Sequence, residues 1–242
     1  MITSTAGIVL RTIKYGDTSG IITIYTRQFG MQSYLINGIR SAGKNYKAHL
    51  YQPASILDME VYHNELKKLQ RIKEAKWKMV FKTIFTDILK NAVAVLMTEV
   101  MQKSIIAEEQ NGILYDFAES QLMLLDNTSY SDAANIPVQF MLKLSEFLGF
   151  GIENNYSDYT PFFDLREGKF ISDNQEPQTE SSILLHKSLS LILGSLKGNK
   201  VPGLNGEIRR KLLHLLEKYF QFHVEGFTPL KSLKIMEMIL KG

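Results

Sequence analysis

The chain reads as a two-part fold, an all-β first third followed by an all-α remainder. Three observations predict it. Short runs rich in β-branched and aromatic residues, separated by turn-forming segments, occupy residues 1–78. From about Val80 apolar residues recur instead at i, i+3 and i+4. The charge balance changes at the same place: residues 1–78 hold 12 Lys and Arg against 5 Asp and Glu, whereas residues 79–242 hold 16 against 20. The expected domains are therefore 1–78 and 79–242.

The β part is built from "GIVLRTI", "IITIYT" and "SYLI", punctuated by "YGDTSG" and "RQFGM". "ILDMEVY" alternates, with Leu57, Met59 and Val61 on one face and Asp58, Glu60 and Tyr62 on the other, as a half-buried antiparallel strand requires. "LKKLQRIKEAKW" is ambiguous. Leu66, Leu69 and Ile72 recur every third position, which favours a helix, and a strand needs Leu69 out of phase or at a bulge.

The α part opens with "VFKTIFTDILKNAVAVLMTEVMQKSII", expected as one long core helix, followed by "GILYDFAESQLMLL". "NIPVQFMLKLSEFLG" places Asn135 to cap, Pro137 in the first turn and Gly149 to stop. In "NGEIRRKLLHLLEKYFQFHVEG" the expected stripe is Ile208, Leu212, Leu215, Tyr219 and Phe222, ended by Gly226. "TPFFDLREGKFIS" reads as a small hairpin turning at Glu167–Gly168.

Composition narrows the function classes. A hydrophobic content of 45% over 242 residues supports a true core. The lack of cysteine removes disulfides, thiolate metal sites and thiol nucleophiles, and fits a reducing compartment. No apolar run reaches the ~18–20 residues that cross a bilayer, and the first residues lack a basic head followed by an apolar segment, so a cytoplasmic protein is expected.

The excess of +7 in residues 1–78 favours a polyanionic partner, with nucleic acid first. A compact five-strand antiparallel unit of this size matches an OB-fold barrel, a common binder of single strands through cations for phosphates and aromatic faces for bases. Arg11, Lys14, Arg27, Arg40, Lys44 and Lys47 are interleaved with Tyr15, Tyr25, Phe29, Tyr34 and Tyr46, some of which would fill the barrel instead. The segment "NGIRSAGKNYK" concentrates Arg40, Lys44 and Lys47 around Tyr46 with no acidic residue, and is expected to be a flexible loop that grips phosphates. The expected DNA-binding set is thus Arg11, Lys14, Arg27, Arg40, Lys44, Lys47 and Tyr46.

"GIVLRTIKYGDTSGIITIYTRQFGMQSYLINGIRS" followed by "HLYQPASILDMEVY" resembles the opening of the RecO family of bacterial DNA repair and recombination mediators. "IRRKLLHLLEKYFQFHVEGFTPLKSLKIME" is similar to that family's closing helices. The resemblance implies an N-terminal OB-fold, with "LKKLQRIKEA" as its last strand, and then a helical domain. It also implies binding of single- and double-stranded DNA, annealing of complementary strands, and work with RecR to load RecA onto strands coated by single-stranded DNA-binding protein. Docking of that protein's acidic, apolar C-terminal tail is assigned to Arg209, Arg210 and Lys211 beside the apolar stripe of the last long helix.

Many members of the family carry a four-cysteine zinc module where this chain reads "FGIENNYSDYTPFFDLREGKFISDNQEP". With no cysteine, and with His49, His63, His186, His214 and His223 at no metal-ligand spacing, a metal-free hairpin held by Phe162, Phe163, Leu165 and Phe170 is expected, with no cofactor. No G-x-S-x-G, H-E-x-x-H or G-x-x-x-x-G-K-[ST] occurs, and "GSLKGNKVPG" reads as an interhelical loop, so no enzymatic activity is expected. A second reading stays open: an OB-fold adaptor that binds RNA or an acidic protein and anneals nothing.

Overall fold

The computed structural model describes residues 2–39, 45–105, 110–172, 180–196 and 203–241. Contacts group the chain into two compact units, Met1–Thr128 and Ser129–Gly242. The first unit therefore extends past the β part to take in two long helices.

Five strands close a barrel in the order β1-β2-β3-β5-β4: β1 (Ile2–Tyr15), β2 (Ser19–Thr26), β3 (Gly30–Ile36), β4 (Ile56–Tyr62) and β5 (Leu69–Trp77). All pairings are antiparallel except the closing β3–β5 seam, which is parallel over Ser33↔Leu69, Tyr34↔Gln70 and Leu35↔Arg71. The seam is parallel because the chain leaves β3, passes through the short helix α1 (Asn45–Leu50), and returns through the β4–β5 hairpin. β1 is long enough to serve two neighbours. Its first half pairs with β4, and after a bulge between Val9 and Arg11 its second half pairs with β2 alone. The shared stretch needs Gly7, where a Cβ would lie 2.5 Å from Ile24 and 2.6 Å from Met59.

The barrel interior holds Val9, Ile22, Ile24, Tyr34, Ile36, Leu57, Met59 and Val61, with Ile39, Leu50 and Tyr51 closing one end. Leu57, Met59 and Val61 are the alternating face expected of β4. Burying each such aliphatic side chain contributes about 1.5–3 kcal/mol. Thr12 Oγ1 donates to the Tyr51 carbonyl at 2.5 Å, tying β1 to the residue after α1.

β5 is the strand that the family resemblance implies, not the helix that its three-residue period favours. Gln70 and Ile72 turn inward, Lys73 is bulged out opposite the Glu60–Val61 step of β4, and Ala75 resumes the inward phase. Leu69 faces outward.

Helices α2 (Ile88–Ser104) and α3 (Gly112–Asn127) belong to the first unit, with α2 packed along β1. The expected start near Val80 is too early. Asp87 caps α2, accepting from the N–H groups of Leu89 and Lys90. Residues before it cannot be helical because their backbone is held elsewhere: the Asp126 carboxylate accepts from the N–H of Lys82 at 2.9 Å, Thr83 at 2.8 Å and Ile84 at 3.1 Å. Buried Lys90 donates through Nζ to Thr83 Oγ1 and to the Asp126 carbonyl. Burial pushes the Asp126 carboxyl up, yet these N–H donors together outweigh it and hold it below the usual carboxylate range.

The second unit comprises α4 (Tyr130–Ala133), α5 (Ile136–Phe147), the hairpin β6 (Phe162–Asp164) and β7 (Lys169–Ile171), α6 (Glu180–Ser195), α7 (Gly206–His223) and α8 (Lys231–Lys241). α5 ends at Gly149 in the left-handed region, as expected, but Asn135 makes no side-chain cap. Its Oδ1 accepts instead from Arg209 Nη1 at 3.2 Å. α7 packs against α5, α6 and α8, so its buried face is wider than one stripe: Leu213, Leu216 and Phe220 join Ile208, Leu212 and Tyr219. Phe222, expected inside, is exposed, with the Arg166 guanidinium 5.8 Å over its ring.

Candidate nucleic-acid interface and a second groove

β3 ends at Ile36 while β5 runs on to Trp77, so beyond the three-residue seam the two strands separate. A cleft of about 640 Å³ opens there, lined by Lys47 from α1, by Arg71, Lys73 and Glu74 from β5, and by Tyr62 and Leu35. Arg71 is exposed and has no ion pair among the described residues, whereas Lys73 Nζ lies 2.7 Å from Glu60. Tyr62 is 48% exposed. The arrangement offers cations around an exposed aromatic face.

Register carries the surface outward from the cleft. Arg11 lies opposite Thr23, which lies opposite Ser33, then Leu69; beside this row run Ile13, Ile21, Leu35 and Arg71. This outer face of β1, β2, β3 and β5 is a shallow apolar and hydroxylic strip with an arginine at each end. Lys14 is exposed but sits on the other face of β1, opposite Gly20.

Arg27 occupies the β2–β3 turn and is engaged by Asp116 of α3, Nε to Oδ1 at 2.8 Å and Nη2 to Oδ2 at 2.9 Å. Arg40 and Lys44 lie outside the described residues, as does the side chain of Tyr46. Lys47 is half-buried in α1 rather than in an open loop. Of the interleaved aromatics, Tyr25 and Tyr34 are fully buried, the former with its hydroxyl 3.3 Å from the Asn111 carbonyl and its phenol pushed up by burial to about 12. Phe29 stacks on His63, ring centroids 3.9 Å apart, and Tyr15 is exposed. The period of residues 66–77 alone gives Arg71 and Lys73 no strand face, and the strand that the resemblance implies carries no sign of which face each takes, because the chain bulges at Lys73.

In the second unit a groove of about 390 Å³ lies between the start of α7 and α8, lined by Leu213, Met236 and Leu240 and by Glu207, Arg209, Arg210 and Glu237. Arg210 is exposed on its rim. Arg209 is half-buried, donating to Asn135 and to the Leu204 carbonyl, and burial lowers its pKa. Lys211 lies 2.6 Å from Glu207 and does not line the groove. α8 is held in place by His214, whose Nε2 is 2.7 Å from Glu237, and by Glu217, which accepts the Leu230 N–H at 2.5 Å.

The hairpin has no donor set for zinc. Phe163 and Phe170 pack together and Phe163 packs on Tyr219. Asn155 exchanges two hydrogen bonds with the Phe170 backbone, at 2.7 and 2.9 Å. Gly168, at φ +65°, leaves the space that the Tyr219 hydroxyl occupies. The nearby imidazoles are already engaged: His186 Nδ1 accepts the Phe163 N–H and His223 Nε2 pairs with the Leu165 carbonyl. Among the described residues no group of three or more His, Asp or Glu could hold a metal ion, and no helix is long and apolar enough to cross a membrane.

Residues 1–81 match the family described as Recombination protein O N terminal, and residues 86–234 match Recombination protein O C terminal. The chain is 32% identical to the DNA repair protein RecO of Bacteroides fragilis over 243 residues, covering 98% of each chain. It is 31% identical to that of Flavobacterium psychrophilum, over 97% of this chain and 98% of the relative. Identity to that of Porphyromonas gingivalis is 28%, over 99% of both. Two family matches that together span both units, on an N-terminal five-strand barrel followed by helices with a small hairpin, establish that the chain belongs to the RecO family.

Proposed function

We propose that the chain is a non-catalytic, cytoplasmic DNA repair mediator that binds single- and double-stranded DNA, anneals complementary strands, and with RecR loads RecA onto strands coated by single-stranded DNA-binding protein. The observation that carries the DNA reading is the cleft at the barrel seam, lined by Lys47, Arg71 and exposed Tyr62 together with Lys73, which is already paired with Glu60. Annealing needs no bond making. Two polyanions repel, and a surface that neutralises several phosphates lowers that barrier by releasing counterions. Fluorescence anisotropy of a labelled single strand over a salt series tests this. The log-affinity should fall with log-salt by about 0.7 for each phosphate engaged, and binding independent of salt would contradict the reading.

The partner tail is assigned to the α7–α8 groove, in which Leu213, Met236 and Leu240 receive an apolar terminal side chain and Arg210 its carboxylates. Titration of an acidic, apolar-ended tail peptide should give affinity that drops roughly tenfold or more in Arg210→Glu, the scale of one charge-assisted hydrogen bond. The already paired Lys211 should matter less. Undiminished binding in Arg210→Glu would move the site elsewhere.

A further inference from the structure

Leu66 is 95% exposed at the tip of the turn between β4 and β5. A single exposed leucine is common on a protein surface. This one is held out by a fixed turn. Asn64 Oδ1 accepts the Leu66 N–H at 2.9 Å, and the Asn64 carbonyl accepts the Lys67 N–H at 3.0 Å. Behind them Gln70, only 3% exposed, accepts the Asn64 N–H at 3.1 Å. Its amide nitrogen donates to the carbonyls of Asn64 at 2.8 Å and Lys67 at 2.5 Å. One buried side chain thus clamps both ends of the turn, so Leu66 stands on a rigid mount.

The surroundings identify the occupant. Leu66 is preceded by exposed Glu65 and followed by exposed Lys67 and Lys68 in the turn, and Arg71, on the strand that follows, lines the cationic cleft. A protein-docking centre is depleted of charge, whereas an apolar knob beside ammonium groups matches a base step beside its phosphates. Glu65 and Lys67, on either side of Leu66, also line a cleft of about 230 Å³ with Phe29, Gln32, His63 and Gln70. Beside the knob there is therefore room for a displaced planar group.

We propose that Leu66 is a wedge that enters between adjacent bases of bound DNA while Lys67 and Lys68 hold the neighbouring phosphates. The inference rests on the DNA-binding reading above and deepens it. Insertion of an apolar side chain unstacks a base step, and an unstacked strand presents its pairing edges to a complement.

The test uses the full chain and single-stranded oligonucleotides carrying 2-aminopurine, whose fluorescence rises when its stacking is broken. Saturating wild-type protein should raise that fluorescence, and Leu66→Met should preserve the rise. Leu66→Ala should abolish most of it and weaken binding by about fivefold, the scale of one stacking contact. Lys67→Gln with Lys68→Gln should reduce the magnitude of the salt slope by about 1.4. A full fluorescence rise in Leu66→Ala overturns the wedge. Wild-type binding without any rise overturns it while leaving the DNA reading intact, and absence of DNA binding removes both. If Leu66→Ala keeps the DNA signature but loses capture of a protein partner, Leu66 is a protein contact and the wedge is wrong.

Discussion

Arg27 and Asp116 form a two-pronged ion pair that ties the β2–β3 turn to α3, at 2.8 and 2.9 Å. The hydrogen bond between them holds the Asp116 carboxyl below its ordinary range and raises the guanidinium. An arginine whose charge is answered in this way adds less to a phosphate-binding field than Arg71, which has no such partner among the described residues. Arg27→Ala should leave the salt slope of DNA binding nearly unchanged, whereas Arg71→Ala should reduce its magnitude by about 0.7. Asp116→Asn, which releases Arg27, should steepen it. Anisotropy titrations of the three variants decide the order.

The segment from Asn37 to Lys47 bears three cations, of which Lys47 lines the seam cleft. Replacing Arg40, Lys44 and Lys47 together by alanine should flatten the single-strand salt slope by about 2, three contacts at about 0.7 each. If a variant verified as folded binds with unaltered affinity and slope, the phosphate contacts lie elsewhere.

Asp126 anchors the segment before α2 with its carboxylate on three backbone N–H groups. Because the folded-state pKa lies below the unfolded value of about 3.9, its stabilisation is complete above that pH and is lost as pH falls through the depressed folded value. Asp126→Ala should cost about 2–4 kcal/mol at neutral pH, since it strands buried donors. Chemical unfolding from pH 6 down to pH 2 should show a shallower acid loss in the variant. Identical acid profiles would refute the role given to this carboxylate.

The hairpin of the second unit is held by Phe163, Phe170 and Tyr219 and by the Asn155 clamp. Purified protein should contain substoichiometric zinc by elemental analysis, and a chelator should leave the thermal transition in place. Phe170→Ala should cost about 3–5 kcal/mol. Stoichiometric zinc with a chelator-sensitive transition would contradict this account.

Much of the barrel is legible in residue pattern. Leu57, Met59 and Val61 alternate because β4 has one wet and one dry face, and the hairpin turn at Gly168 follows from a left-handed position flanked by phenylalanines. β5 is less legible for a physical reason. The bulge at Lys73 breaks the two-residue period, while Leu66 belongs to a turn and Leu69 to the outer face, so three leucines and isoleucines at helical spacing point to three different environments. Phe81 and Ile84 likewise fit a helix by spacing, yet they are buried in an irregular segment that Asp126, more than 40 residues later, holds open. The site suffered most from this. Arg71 and Lys73 become neighbours of Lys47 only once the parallel seam places β5 beside β3, and such a pairing leaves no signature in local sequence.

Annealing of two complementary oligonucleotides, followed by energy transfer between dyes on the two strands, tests the central claim most directly. With the full chain present and no nucleotide or metal added, the rate should exceed the spontaneous rate, decline as salt is raised, and fall toward the spontaneous rate when Lys47, Arg71 and Lys73 are neutralised together. Single-strand binding without acceleration would point to an OB-fold adaptor, and acceleration indifferent to those three residues would contradict the assignment of the seam cleft.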